Sequence, residues 1–204
     1  MIFPESAMDG ASLYLQALGP AFAALAPVLR RLHGSGTRNV QGTLRVRVGS
    51  HPLACAFLRL GRLPLAYETA AGCQLRLSFD ADEKGERWER RIGPHLIISI
   101  QKPVSSKAVD HKGPSTAAVG KIIERFGLLT LDLCLRVKQR NLWVRSRAAR
   151  LGGILLPAWL AIRVVAYEKA IDENSFCVDI RVSSRLTGRL LEYRGRLRLE
   201  AKES

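Results

Sequence analysis

The sequence predicts a mainly β fold, a β-rich α+β domain. A curved antiparallel sheet or half-barrel of about nine or ten strands carries an N-terminal helix and a short plug-like helical segment. Three observations lead there. Apolar and polar residues alternate with period two in runs between residues 40 and 200, the mark of half-buried strands. The breaks between most of these runs are short and rich in Gly, Pro, Asn, Asp and Ser, as hairpins require. Helical periodicity is confined to the stretch before Gly34 and to brief apolar runs. The expected organisation is one domain over residues 1–204, helical at about 12–33 and β-rich from about 40 to 200.

The elements follow in chain order. Ala11 to Leu29 is nearly long enough to span a bilayer, but Gln16, Gly19-Pro20 and Pro27 interrupt it. It reads as one or two amphipathic helical pieces, with membrane-surface contact as the alternative. Phe22–His33 is helical in character, has a basic last turn, and is stopped by Gly34-Ser-Gly36. In "GTLRVRVG", Leu44, Val46 and Val48 share a face opposite Arg45 and Arg47. "LACAFLRLGRLP" reads as a short helix bounded by Pro64. "QLRLSFD" and "ERWERRI" form a hairpin through Asp82–Gly85, and "HLIISIQ" follows Gly93-Pro94.

Residues 102–119 are polar, contain Pro and Gly, and read as the longest loop and a candidate lid. "KIIERFG" leads into "LLTLDLCLRV", whose Leu129, Leu131, Leu133, Leu135 and Val137 alternate without a break, and "NLWVRSRA" follows as a shorter strand. "GGILLPAWLA" breaks the pattern with two glycines and Pro157, and reads as a turn plus a helical turn that caps the sheet or gates its mouth. Three strands end the chain: "IRVVAYEKAI", "SFCVDIRVS" and "GRLLEYRGRLRLE".

Composition narrows the function classes. Lys plus Arg number 32 against 18 Asp plus Glu, giving a formal charge of +14. Such a surface attracts nucleic acid, anionic membrane or acidic partners, although Arg-rich usage with high Ala, Gly and Leu is also what a GC-rich bacterial genome produces. Nucleic-acid binding is not expected, because the few aromatics sit at core positions rather than on a basic face. Arg45 and Arg47 with Arg194, Arg196 and Arg198 would make a basic stripe only if the first and last strands are neighbours.

Cys55, Cys73, Cys134 and Cys177 form no C-x-x-C pair, and the four His are scattered, so no zinc or other metal site is expected. Isolated thiols suit a reducing compartment, and the first ten residues lack the Lys or Arg of a signal peptide. The expected location is the cytoplasm, with peripheral contact to the inner membrane as the alternative. There is no G-x-S-x-G elbow and no G-x-G-x-x-G after a strand, so neither a nucleophilic triad nor a cofactor is expected.

"LAPVLRRLHG" (25–34), "GERWERRIG" (85–93), "IIERFG" (122–127), "GGILLPAWLA" (152–161), "AYEKAIDENSFCVDI" (166–180) and "GRLLEYRGRL" (188–197) occur in an order that resembles a bacterial family described as domain of unknown function 4166. Ile92 stands where that family favours Phe, and Leu128 where Pro is usual. Members of the family occur alone or behind a saccharopine-dehydrogenase-like NAD(P)-binding domain. The resemblance therefore implies a dehydrogenase as one partner class, and it implies no activity.

The candidate site comes from strand parity. Trp88, Arg90 and Ile92 share a face, as do Ile122, Glu124 and Phe126, then Val164, Ala166 and Glu168, then Leu191, Tyr193 and Leu197. If these faces point inward, Arg90, Glu124, Glu168 and Tyr193 sit among hydrophobes and must pair with one another, face a ligand or border water. The reading is a non-catalytic module that binds a hydrophobic or lipid-like small molecule. Arg90 and Glu124 would orient its polar group, and Trp88, Phe126 and Trp159 would form the wall. Two alternatives stand beside it: an accessory domain for an NAD(P)-dependent oxidoreductase, and an enzyme using Glu124 or Glu168 as acid or base.

Overall fold

The computed structural model describes residues 12–52, 70–82, 85–104 and 119–200. The expected helix at 53–64 and most of the expected 102–119 loop lie outside these residues. Eleven strands are present: β1 (Arg38–Val48), β2 (Ala70–Asp82), β3 (Gly85–Ile92), β4 (His95–Pro103), β5 (Val119–Phe126), β6 (Leu129–Lys138), β7 (Asn141–Leu151), β8 (Ile154–Leu155), β9 (Ile162–Ala170), β10 (Ser175–Ser184) and β11 (Gly188–Leu199). Each pairs antiparallel with its neighbours in the order β6-β5-β4-β3-β2-β1-β11-β10-β9-β7, and β6 also pairs with β7. That last pairing closes the sheet.

The architecture is thus a ten-strand closed barrel with β8 as an extra strand, not the half-barrel or open curved sheet the sequence predicts. Closure removes the two exposed edges an open sheet would leave. The closing β6–β7 hairpin turns through Gln139 (φ 52°) and Arg140 (φ 65°), two non-glycine residues in the left-handed region.

The inward rows are those parity assigns. Leu75, Leu77 and Phe79 are buried on β2; Leu129, Leu131, Leu133 and Leu135 on β6; and Phe176 and Val178 on β10. Ten strands enclose more space than the eight whose side chains just fill a barrel. The N-terminal segment occupies one end of that space. It consists of α1 (Leu13–Leu18), a 3-10 turn (Gly19–Ala24) and α2 (Pro27–Leu32). Ser12 caps α1, its Oγ accepting from Leu15 N–H at 3.1 Å, and Pro27 sits at the start of α2, where its missing N–H is harmless. Leu13, Leu18, Leu25, Val28, Leu29 and Leu32 are all buried. The apolar face that could have met a membrane is therefore spent on the barrel.

The helices are tied to the strand ends around them. Ala26 N–H donates to Arg140 O at 2.9 Å, and the Arg31 guanidinium donates to Asn174 Oδ1 at 2.8 Å. Gly120 admits α1, since a Cβ there would lie 2.7 Å from the Ala17 carbonyl oxygen. The plug of this barrel is thus its N-terminus. "GGILLPAWLA" instead forms a tight turn through Gly152 (φ 59°) and Gly153 (φ 89°), the two-residue β8 and a turn at 158–160, with no helix.

Candidate functional site

The inward faces of these strands line a cavity of about 120 Å³ in the barrel. Six of the seven candidate site residues border it: Trp88, Arg90, Glu124, Phe126, Glu168 and Tyr193. Trp159 does not. It is 56% exposed, in the turn between β8 and β9 at the end of the barrel opposite the helices. It is not among the residues that line the cavity, so it is no part of the expected wall.

Arg90 and Glu124 meet directly. The Arg90 guanidinium donates to Glu124 Oε1 at 2.8 Å and to Ser99 Oγ at 2.7 Å, and Ser99 Oγ donates to the same carboxylate oxygen at 2.7 Å. Strand register makes this triangle. Trp88 lies opposite Ser99, and Gln101 lies opposite both Glu86 and Glu124, so β3, β4 and β5 carry it side by side. The guanidinium also stacks on Trp88 (4.7 Å to the ring centre) and approaches Phe126 (5.7 Å). Burial opposes the Arg90 charge, but the Glu124 carboxylate together with Tyr193 and Tyr14 outweighs it, so its pKa stands above the ordinary value.

A second cluster joins the helices to the barrel. His33 Nε2 lies 2.7 Å from Glu168 Oε2, and the His33 side chain is wholly buried. Tyr14 stacks on the His33 ring at 4.0 Å, and Trp88 packs beyond it at 6.0 Å. Glu86 accepts from Leu13 N–H at 3.2 Å and from Trp88 Nε1–H at 3.2 Å, holding the start of α1. Burial raises the Glu86 carboxyl pKa, against the pull of those two hydrogen bonds. Burial likewise raises the Tyr14 phenol well above its usual value and pushes Tyr193 up to about 12. Both stay protonated donors near neutral pH.

Sequence reading misses His33, Glu86, Ser99, Gln101 and Tyr14. For β4 the pattern points the wrong way: Leu96, Ile98 and Ile100 look like a core face, yet they are 37–42% exposed. Ile97, Ser99 and Gln101 face inward instead. Glu86 was accessible to reasoning, because it shares parity with Trp88 and Arg90. Gln101 Oε1 is buried without a hydrogen-bond partner, and Gln101 borders the cavity.

The polar groups gather at the helical end. Glu86, Gln101 and Glu168 lie toward the strand ends that meet the helices, and Glu124, though near the far end of β5, pairs in register with Gln101. Ile92, Leu129, Ile162, Val182 and Leu190 line the cavity toward the other end. Glu124 and Glu168 border the cavity beside the single guanidinium of Arg90, which Glu124 already matches. Outside the barrel β1 and β11 are indeed neighbours, Arg45 lying opposite Arg194. The resulting basic stripe is partly neutralised, because Arg194 pairs with Glu192 and Asp179, and Arg196 with Asp172. Among the described residues no group of His, Cys, Asp and Glu is arranged to hold a metal ion.

Two predictions follow from this geometry. Glu124→Leu alone strands a buried guanidinium and should destabilise the protein by about 3–5 kcal/mol, whereas Arg90→Met with Glu124→Leu should recover most of that loss. Denaturant melts of both single variants and the double variant check the cycle. For Glu86 the folded pKa is raised, so its contribution is fully present below the ordinary carboxyl value and is lost as pH rises through the folded one. The stability of the unmodified protein relative to Glu86→Gln should fall as pH rises from acid to neutral; a difference independent of pH would contradict this.

Comparison with curated proteins and with solved structures found no match. The profile of one family, described as "Domain of unknown function (DUF4166)", matches residues 25–197, from the second helix to the last strand. The chain belongs to the DUF4166 family.

Proposed function

We propose that the barrel binds a small, mainly apolar molecule that carries one neutral polar group. The polar group would lie against the helical end and the apolar part would point toward the opposite mouth. The observation that carries this reading is the buried Gln101 Oε1, without a hydrogen-bond partner among the described residues, on the wall of a mainly apolar cavity. A buried acceptor with no donor is costly and rare in folded proteins, and a ligand hydroxyl would satisfy it.

Size and charge sharpen the ligand class. At about 120 Å³ the cavity is of the order of an engineered protein cavity that takes benzene. A ring-sized group fits, and any longer chain has to reach toward the mouth. Glu124 and Glu168 line the polar end, and Arg90 is already matched by Glu124. An anionic head would therefore lose its hydration without gaining a counter-ion. A hydroxyl can donate to the Gln101 acceptor, and either a hydroxyl or a carbonyl can accept from the protonated Tyr14 and Tyr193 phenols.

The acid–base reading is less well supported, because Glu124 is held by Arg90 and Ser99, and Glu168 by His33. Titration calorimetry with 4-butylphenol and 4-butylbenzoate at neutral pH tests the proposal. The phenol should bind at least about tenfold more tightly, and Gln101→Leu should weaken it roughly two- to tenfold while the protein stays folded. Equal binding of the two, or tighter binding of the benzoate, would overturn the neutral-head assignment.

A further inference from the structure

The barrel end opposite the helices differs from the rest of the surface. The β5–β6 turn, the connection from β7 through β8 to β9, and the β10–β11 turn all lie there. Five large apolar side chains stand exposed on these connections: Leu128 (54%), Ile154 (75%), Leu155 (60%), Trp159 (56%) and Leu186 (44%). The connections adjoin one another. Gly152 N–H donates to Leu128 O at 2.9 Å, and Ser184, beside the β10–β11 turn, pairs with Ile162, which follows the turn carrying Trp159. The exposed side chains thus form an arc along the rim. Apolar arcs of this kind mark interaction sites.

Charge identifies the partner. Residues 125–130, 145–163 and 183–190 contain Arg125, Arg145, Arg147, Arg150, Arg163, Arg185 and Arg189, and no Asp or Glu. Arg150 pairs with Asp132 and Arg189 with Glu192 on the barrel side. Arg145, Arg147, Arg163 and Arg185 form no ion pair among the described residues. The helical end carries both signs, with Asp80, Glu86, Asp172, Glu173 and Glu200 beside Arg30, Arg31, Arg38, Lys138 and Arg140.

Exposed Trp, Ile and Leu tips backed by unpaired arginines match the two layers of an anionic bilayer surface. The tips enter the boundary between head groups and acyl chains, and the arginines meet phosphates. Nucleic acid would use the arginines but leave the aliphatic tips in water. The barrel itself does not cross a membrane, because the outward rows of its middle carry Arg45, Arg47, Arg76, Arg194 and Arg196, and charges on a lipid face are strongly disfavoured.

We propose that this rim docks the protein reversibly on an anionic lipid surface, with the barrel mouth against the bilayer. The inference stands on the rim alone and does not depend on the ligand reading. If both hold, a membrane-dissolved molecule would meet the mouth directly.

Sedimentation with phosphatidylcholine vesicles, with and without phosphatidylglycerol, tests it. Phosphatidylglycerol vesicles should carry the protein down and pure phosphatidylcholine should not. Brominated acyl chains should quench the fluorescence of the bound protein, and Trp159→Phe should remove that quenching. Ile154→Ser with Leu155→Ser, and separately Arg163→Glu with Arg185→Glu, should each weaken binding about tenfold or more. Arg45→Glu with Arg196→Glu, on the side of the barrel, should change it little. All these residues are exposed, so the variants should fold, and their melts check this. The proposal is overturned by absence of binding, by binding that follows the side-face arginines, or by a rim that instead drives self-association in sedimentation velocity.

Discussion

A guanidinium inside an apolar barrel must be neutralised where it stands, and the structure around Arg90 is organised by that requirement. Glu124 supplies the charge, Ser99 bridges the two, and Trp88 and Phe126 shield them. These partners come from three adjacent strands, so the ion pair also fixes the relative register of β3, β4 and β5. A slip of one residue in any of them would turn an apolar row outward and bury a charge without its partner. The β4–β5 ladder is short, running only from Ile100 and Arg125 to Pro103 and Ile122, and the triangle holds the inner face of that seam.

The same polar core gives the helices their seat. Glu86 holds the first turn of α1, and His33 at the end of α2 meets Glu168, 135 residues away in sequence. Tyr14, His33 and Trp88 stack between these two anchors. The helices close one end of the barrel because polar groups at that end bind them, while the opposite end keeps apolar walls and an apolar rim. The molecule is therefore polarised along its axis, with a polar seat for the helices at one end and an apolar rim that lacks acidic residues at the other. The ligand orientation and the lipid docking proposed above each follow from one half of that polarity.

Much of this was legible in the sequence where strands alternate cleanly. The faces of Trp88 and Arg90, of Ile122, Glu124 and Phe126, and of Val164, Ala166 and Glu168 are as parity assigns them, since period two leaves little freedom once one face is buried. What alternation does not encode is closure, which depends on β6 meeting β7 after the sheet has coiled through all its strands. It also misleads on β4, where Leu96, Ile98 and Ile100 outweigh Ile97, Ser99 and Gln101 in hydrophobicity but face outward. Neighbouring strands impose that orientation, because β3 and β5 already commit Arg90 and Glu124 to the inside. His33 and Tyr14 were invisible for a related reason: their partners are distant in sequence. The glycines, Pro157 and apolar run of "GGILLPAWLA" suggest a plug with a helical turn, but Gly152 and Gly153 instead make a tight turn into β8 and no helix forms.

On the proposal above, the barrel interior is a binding site with a polar floor. Native mass spectrometry of the protein purified without detergent tests it most directly, together with identification of whatever denaturation releases. The account predicts a stoichiometric adduct that is lost on unfolding, has an uncharged polar group, and is reduced by Gln101→Leu in a protein that still folds. An apo mass that persists after incubation with an excess of total lipid extract from the host would contradict it, as would an adduct indifferent to Gln101.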